Sequence, residues 1–358
     1  MEVAILGGGN GAYATAADLV LRGMSVRMWR RNAQQFSAVL ATSVISITDR
    51  DGVHKAHISL PTTQLSEAIC GAEVVIIPLP AFAQDEMVIE LAPLLEDGQV
   101  ILLTPGSFGA YIMANDLRKA GCTADLIFAE SATLPYLTRK LGSAEVGITA
   151  RATLLPFGVY PSSTASNVKD KLAQLFPGSI IVDDVLDAAL LNAGPIIHPP
   201  LIILNAAALE HSSSFDIHNE GTQPCTRLVQ EALDNERIML REKLGYNGPH
   251  YPLSDYYEGR EWFYENTARE HLVDSSYWRE PVDLKHHRYI TEDIAFGLAF
   301  MVSVADWANV DVPVARSLLS LASVIVGRDL RSDGRTLEST GLSSMEPVQV
   351  KRVLREDG

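Results

Sequence analysis

Cysteine is scarce in this chain. Cys70, Cys122 and Cys225 are the only three in 358 residues, an odd number set far apart. They build neither a disulfide framework nor a paired zinc motif, so a reducing, cytoplasmic compartment is expected. Basic charge is also short: 29 Lys and Arg stand against 44 Asp and Glu, for a net charge of -15. Such a field repels phosphate backbones and anionic lipid, which argues against nucleic-acid and membrane partners. A small anionic ligand stays open, because a few local cations override the global field. No apolar run reaches the roughly 18 residues that cross a bilayer. The first strand begins so close to Met1 that no cleavable leader is expected.

What the chain has is ordinary globular material, 47% hydrophobic and 20% charged, in a length that suggests two domains. The first half alternates short apolar runs with helical patterns, as a parallel sheet covered by helices requires. Strands are expected over 3–6, 25–29, 74–77, 100–103 and 126–129, with a last one over 153–159 and a helix near 166–175. Alternation over 44–60 around Asp51-Gly52 predicts a hairpin. Beyond about 182 the texture becomes helical, with helices expected over 199–211, 226–244, 290–308 and 314–326. The boundary is therefore placed between an α/β domain over 1–182 and an all-helical domain over 183–358.

Gly7-Gly8-Gly9-Asn10-Gly11-Ala12 follows the first strand and opens a helix. Read as G-x-G-x-x-A, it puts Gly7 at the tight turn, Gly9 where backbone meets a pyrophosphate, and Ala12 where helix packs on strand. Asn10 and Gly11 open the helix, whose N-terminus faces the phosphates. This is a Rossmann dinucleotide fold. At the end of the second strand, where an NAD enzyme carries an acid, stand Arg30 and Arg31. Guanidinium binds a 2′-phosphate bidentately, so NADP(H) is preferred, with NAD(H) use left open. Ligands in open sheets bind outside the carboxyl ends of strands, which nominates Pro80, Pro105, Gly106 and Glu130. The prolines serve either contact or backbone rigidity.

His198 precedes two prolines expected to start a helix, in an apolar run that also holds Asn192. Imidazole exchanges protons near neutrality, as hydride transfer to C=O or C=N requires. Asp293 falls on the apolar side of a later helix, beside Phe296 and Gly297, where an unpaired carboxylate is costly. His198 is its expected partner, held in one tautomer. Arg288 either clamps a substrate carboxylate or pairs with Glu292 one turn away. His286 and His287 lack ligand-spaced acids or cysteines, so no metal is expected. The aromatics of 251–278 either form a lid or pack together.

The GGGNGA motif, the N-A-x(4)-H-P segment ending at His198-Pro199, Asn205-Ala206-Ala207, the R-Y-x(2)-E-D of Arg288 to Asp293 and the G-R-T-L-E from Gly334 together resemble the octopine/nopaline (opine) dehydrogenase family. The resemblance implies an active site in a cleft between the two domains and reductive joining of an amino acid to an α-keto acid, often pyruvate. It also implies catalysis by His198 and Asp293, with Asn192 ahead of the histidine as a further catalytic residue, and substrate binding by Arg288. Some relatives carry an aspartate where this chain has Arg30. Two other functions fit the same residues: a keto-acid reductase of the ketopantoate reductase or hydroxyacid dehydrogenase type, and a non-catalytic NADP-binding protein. A homodimer is the assembly considered.

Overall fold

The computed structural model describes residues 1–279 and 281–356. The chain divides into two compact units, Met1–Ala188 with the residues from Leu354 on, and Ala189–Val353.

The first unit begins with β1 (Glu2–Leu6), α1 (Asn10–Leu21), β2 (Ser25–Trp29), α2 (Ala33–Thr42), β3 (Val44–Asp49), β4 (Gly52–His57) and β5 (Leu60–Thr62). It continues through α3 (Leu65–Ile69), β6 (Val74–Ile77), α4 (Ala81–Leu91), β7 (Val100–Leu103), α5 (Gly109–Lys119) and β8 (Ile127–Ser131). It then runs through β9 (Tyr136–Gly142), β10 (Glu145–Arg151), β11 (Leu155–Tyr160), α6 (Ala165–Leu175) and β12 (Ser179–Ile181). The main sheet has the order β12-β11-β8-β7-β6-β1-β2-β5. Its central strands are parallel, whereas β11 runs antiparallel to β8. Strands such as Val74-Val75-Ile76-Ile77 are buried throughout, as helices on both faces demand.

A second sheet, β4-β3-β10-β9, covers the outer side of α1. The expected hairpin of β3 and β4 is there, but the pair β9 and β10 was not anticipated. The covering explains why α1 reads Ala-Tyr-Ala-Thr-Ala-Ala, small and apolar all round: residues 12–19 are buried from two sides. Arg151 of β10 fastens the layers, its Nε 2.8 Å from Asp18 Oδ1 on α1 and its Nη2 2.6 Å from Asp49 Oδ2 on β3.

The chain passes through α7 (Val185–Ala189) into the helical unit. That unit comprises α8 (Gly194–Leu204), α9 (Ala206–His211), α10 (Pro224–Lys243), α11 (Leu253–Tyr257) and α12 (Ala268–Asp274). A π-helix over Tyr289–Leu298 follows, then α13 (Ala299–Ala308), α14 (Pro313–Val326) and α15 (Pro347–Arg355). Three expectations are corrected here. Pro199 and Pro200 lie inside α8 rather than at a helix start. The helix expected over 199–211 breaks at Asn205, whose amide donates to the carbonyls of Leu201 and Gly221. The expected helix over 290–308 is a π-helix that continues as α13.

The reading of apolar runs is also corrected. The stretch Val185–Leu204 is long and apolar enough to cross a membrane, with mean hydropathy 1.3, although 78% of it is buried within the structure. Interior helices of folded domains meet the same test.

Candidate active site

Within the helical unit, α8 and the π-helix pack closely because Pro195 lies against Gly297, and Gly194 lies against Asp293. This contact brings together residues 95 positions apart: His198 Nδ1 stands 2.8 Å from Asp293 Oδ2. The carboxylate is 7% exposed and the imidazole 19%, so the pair is shielded yet reachable. Asp293 accepts the Nδ1 proton, which leaves the Nε2 lone pair available as a base. The ring is held flat against Tyr289, centroids 3.8 Å apart and planes inclined by 10°. The Tyr289 hydroxyl lies 2.9 Å from His218 Nε2. The π-helix turn thus presents an acid and an aromatic face to one imidazole, in keeping with the frequency of such turns at functional sites.

The prolines of α8 withdraw two backbone donors from the turn carrying His198. Gln230 of α10 braces the same turn from outside, its Nε2 donating to the Ile197 carbonyl at 2.8 Å. Asn192 sits just ahead of α8, where its Oδ1 accepts from Gly194 N at 3.0 Å. That hydrogen bond fixes the helix entrance two residues before the turn that leads to His198. A Cβ at Gly194 would run into Asp293 Oδ1. Gly194→Ala should therefore displace Asp293 and cut turnover about a hundredfold, the cost of a roughly 1 Å misplacement. Steady-state kinetics on a variant with unchanged coenzyme affinity checks this.

Arg288 caps the π-helix start, with Nη2 3.1 Å from Glu292 Oε2. Its Nε is buried without a hydrogen-bond partner. Burial alone would lower its pKa, but the Glu292 and Asp293 carboxylates outweigh that and raise it. The ion pair with Glu292 is formed, and the Nε donor is left over. Sequence reasoning missed Arg227 on α10. Its guanidinium lies 4.7 Å from the Tyr257 ring centroid, and its Nε is also buried without a partner. Tyr257 in turn donates to Gln230 Oε1 at 2.6 Å, and burial pushes its hydroxyl up to about 12. Among the aromatics over 251–278, Trp262, Phe263 and Tyr264 are each at most 4% exposed, and the Trp262 and Phe263 rings pack at a tilt, centroids 4.6 Å apart.

In the first unit, Gly7 adopts φ +141°, a conformation closed to side chains, as the chain turns out of β1. Gly9 is exposed with open space around its Cα. No side chain caps α1, whose first amides are left for a ligand. This cradle fits a dinucleotide pyrophosphate. Arg30 donates to the carbonyl and side-chain oxygens of Gln35. Arg31 is engaged by Glu90 at 2.5 Å and Glu86 at 3.8 Å. Pro80 caps α4, and Pro105 and Gly106 are buried at the end of β7. Glu130 is corrected: it is fully buried, and its oxygens accept from Phe108 N at 2.7 Å and Ala110 N at 2.8 Å. Both oxygens are drawn to the start of α5, so the carboxylate lies in the interior rather than at the open rim of the sheet.

Comparison with known proteins gives the following. Residues 181–326 match the helical-domain model of the NAD/NADP octopine/nopaline dehydrogenases. Residues 2–128 match the N-terminal model of NAD-dependent glycerol-3-phosphate dehydrogenase. The chain is 27% identical to the opine dehydrogenase of Arthrobacter sp. (strain 1C), over 97% of each. It is similar in fold to octopine dehydrogenase solved with NADH and L-arginine, with TM-score 0.68, 21% identity and coverage of 91% of this chain and 90% of that one. It is also similar to yersinopine dehydrogenase solved with NADP+, with TM-score 0.67, 16% identity and coverage of 99% and 97%.

Proposed function

This chain belongs to the octopine/nopaline (opine) dehydrogenase family, and from that membership we propose that it catalyses the reversible, NADPH-dependent condensation of an L-amino acid with pyruvate or a similar α-keto acid through an imine. The observation that carries the reading is the His198–Asp293 pair, set beside an Arg288 with unspent donors in the segment that matches the family's helical domain. His198 Nε2 takes a proton from the substrate ammonium, freeing the amine to attack the keto carbon. The imidazolium, stabilised by Asp293, returns that proton to the carbinolamine hydroxyl, which leaves as water. Arg288 holds a substrate carboxylate through bidentate hydrogen bonds, and Arg227 offers a second cation for the other. Loss of water leaves a protonated imine, and the dinucleotide, when bound, would supply the hydride that converts it to a secondary amine.

NADP(H) is the preferred coenzyme in this reading, because Arg30 stands where an acid would repel the 2′-phosphate and bonds to the neutral Gln35, with no acid paired to it among the described residues. Three free cysteines support a reducing, cytoplasmic setting. The test is coenzyme oxidation with pyruvate and with 2-oxoglutarate, each with and without a panel of amino acids. The expected result is oxidation only when both substrates are present. Oxidation by a keto acid alone would make the protein a keto-acid reductase, and none with any mixture would leave it a coenzyme-binding protein.

A further inference from the structure

We propose that Lys140 of β9 completes, with Arg30, a pocket for the coenzyme's ribose 2′-phosphate. The inference rests on the reading of the first unit as an NADP(H) site. Lys140 lies outside every motif in the sequence, and the second sheet brings it to the glycine-rich turn. Its backbone N–H donates to Asn10 Oδ1 at 2.9 Å, fastening β9 to the first residue of α1. Its ammonium sits 3.7 Å from the centroid of the Tyr13 ring and 3.5 Å from the Gly8 carbonyl oxygen. Arg30 lies directly over Gly8, where any Cβ would strike its side chain. Two cations from different sheets therefore converge on one peptide of the turn, next to the strand end where the coenzyme's adenosine ribose is expected.

The charge balance sets these two cations apart from Arg31 and Arg151. Arg151 is neutralised by Asp18 and Asp49, and Arg31 by Glu86 and Glu90. Neither Arg30 nor Lys140 has a carboxylate partner among the described residues: Arg30 bonds to the neutral Gln35, and Lys140 to a carbonyl and a ring face. Burial, then repulsion from Arg30, lowers the Lys140 pKa to about 8. Two uncompensated cations held together cost free energy that a phosphate group of charge about -1.5 to -2 would recover. The pyrophosphate is served separately by the exposed Gly9 and the open end of α1.

Calorimetric titration with 2′,5′-ADP and with ADP tests the assignment on the full chain. Wild type is expected to bind 2′,5′-ADP more tightly than ADP. Lys140→Met, which keeps the alkyl stem and the backbone bond to Asn10, is expected to lose about tenfold or more on 2′,5′-ADP, the worth of a charge-assisted hydrogen bond. Its ADP affinity should hold within about twofold on the same grounds, and Lys140→Arg should retain the preference. Discrimination by wild type with no loss in Lys140→Met overturns the lysine assignment alone. Equal loss on both ligands also overturns it and makes Lys140 a support of the turn. A wild type that treats the two ligands alike overturns the NADP(H) reading itself and the lysine pocket with it.

Discussion

His198→Ala is expected to lower turnover by about 10²–10⁴-fold, the usual worth of a positioned acid–base group, while coenzyme affinity stays unchanged. The two quantities separate because the imidazole belongs to the helical unit and the glycine-rich turn to the other. Asp293→Asn should show most of the same loss. The amide cannot stabilise an imidazolium, and it can hold the ring in the tautomer whose Nε2 carries a proton and is no base. Because Asp293 is 7% exposed, His198→Ala also leaves a buried carboxylate without its partner at 2.8 Å, so a thermal melt accompanies the kinetics. If the folded His198→Ala variant turns over within a few-fold of wild type, the imidazole carries no proton in this reaction.

Arg288→Met is expected to reduce kcat/KM by the loss of about 2–5 kcal/mol, as when one side of a shielded charge pair is removed. The kinetic parameter that moves decides between the two readings of this arginine. Loss of the ion pair with the buried Glu292 acts on stability and shows in a thermal melt, with the KM of each substrate unchanged. A carboxylate clamp would raise KM for one substrate, and Arg288→Lys would fail to restore it because an ammonium lacks the planar fork. The buried, unpartnered Nε of Arg288 favours the large effect. Saturation curves run separately for amino acid and keto acid identify which carboxylate it holds.

The parts of this molecule that follow local rules could be read from the sequence. Gly7 to Ala12 announce a turn and a helix start because backbone sterics allow little else there, and the buried strands advertise themselves by β-branched runs. The pairing of His198 with Asp293 followed from one physical constraint, that a carboxylate on an apolar face needs a partner. What stayed hidden depends on tertiary contacts. Local rules end a helix at Pro199, yet α8 runs on through both prolines, packed against α10. Over ten residues, π and α periodicities in Tyr289–Leu298 are not separable. In β9 the alternation is interrupted by Arg139-Lys140, and nothing local tells that Lys140 will reach Gly8. The position of Glu130 at a strand end suggested an outward carboxylate, but the amides of Phe108 and Ala110 draw it inward.

The central claim is that this protein joins an amine to a keto acid by reduction, with His198 moving the proton. Its most direct test is to quantify product against coenzyme consumed, using an isotopically labelled amino acid with pyruvate. The account predicts one labelled secondary amine for each NADPH oxidised, and none from the folded His198→Ala variant over the same time. Formation of a hydroxy acid, with the labelled amino acid recovered intact, would contradict it.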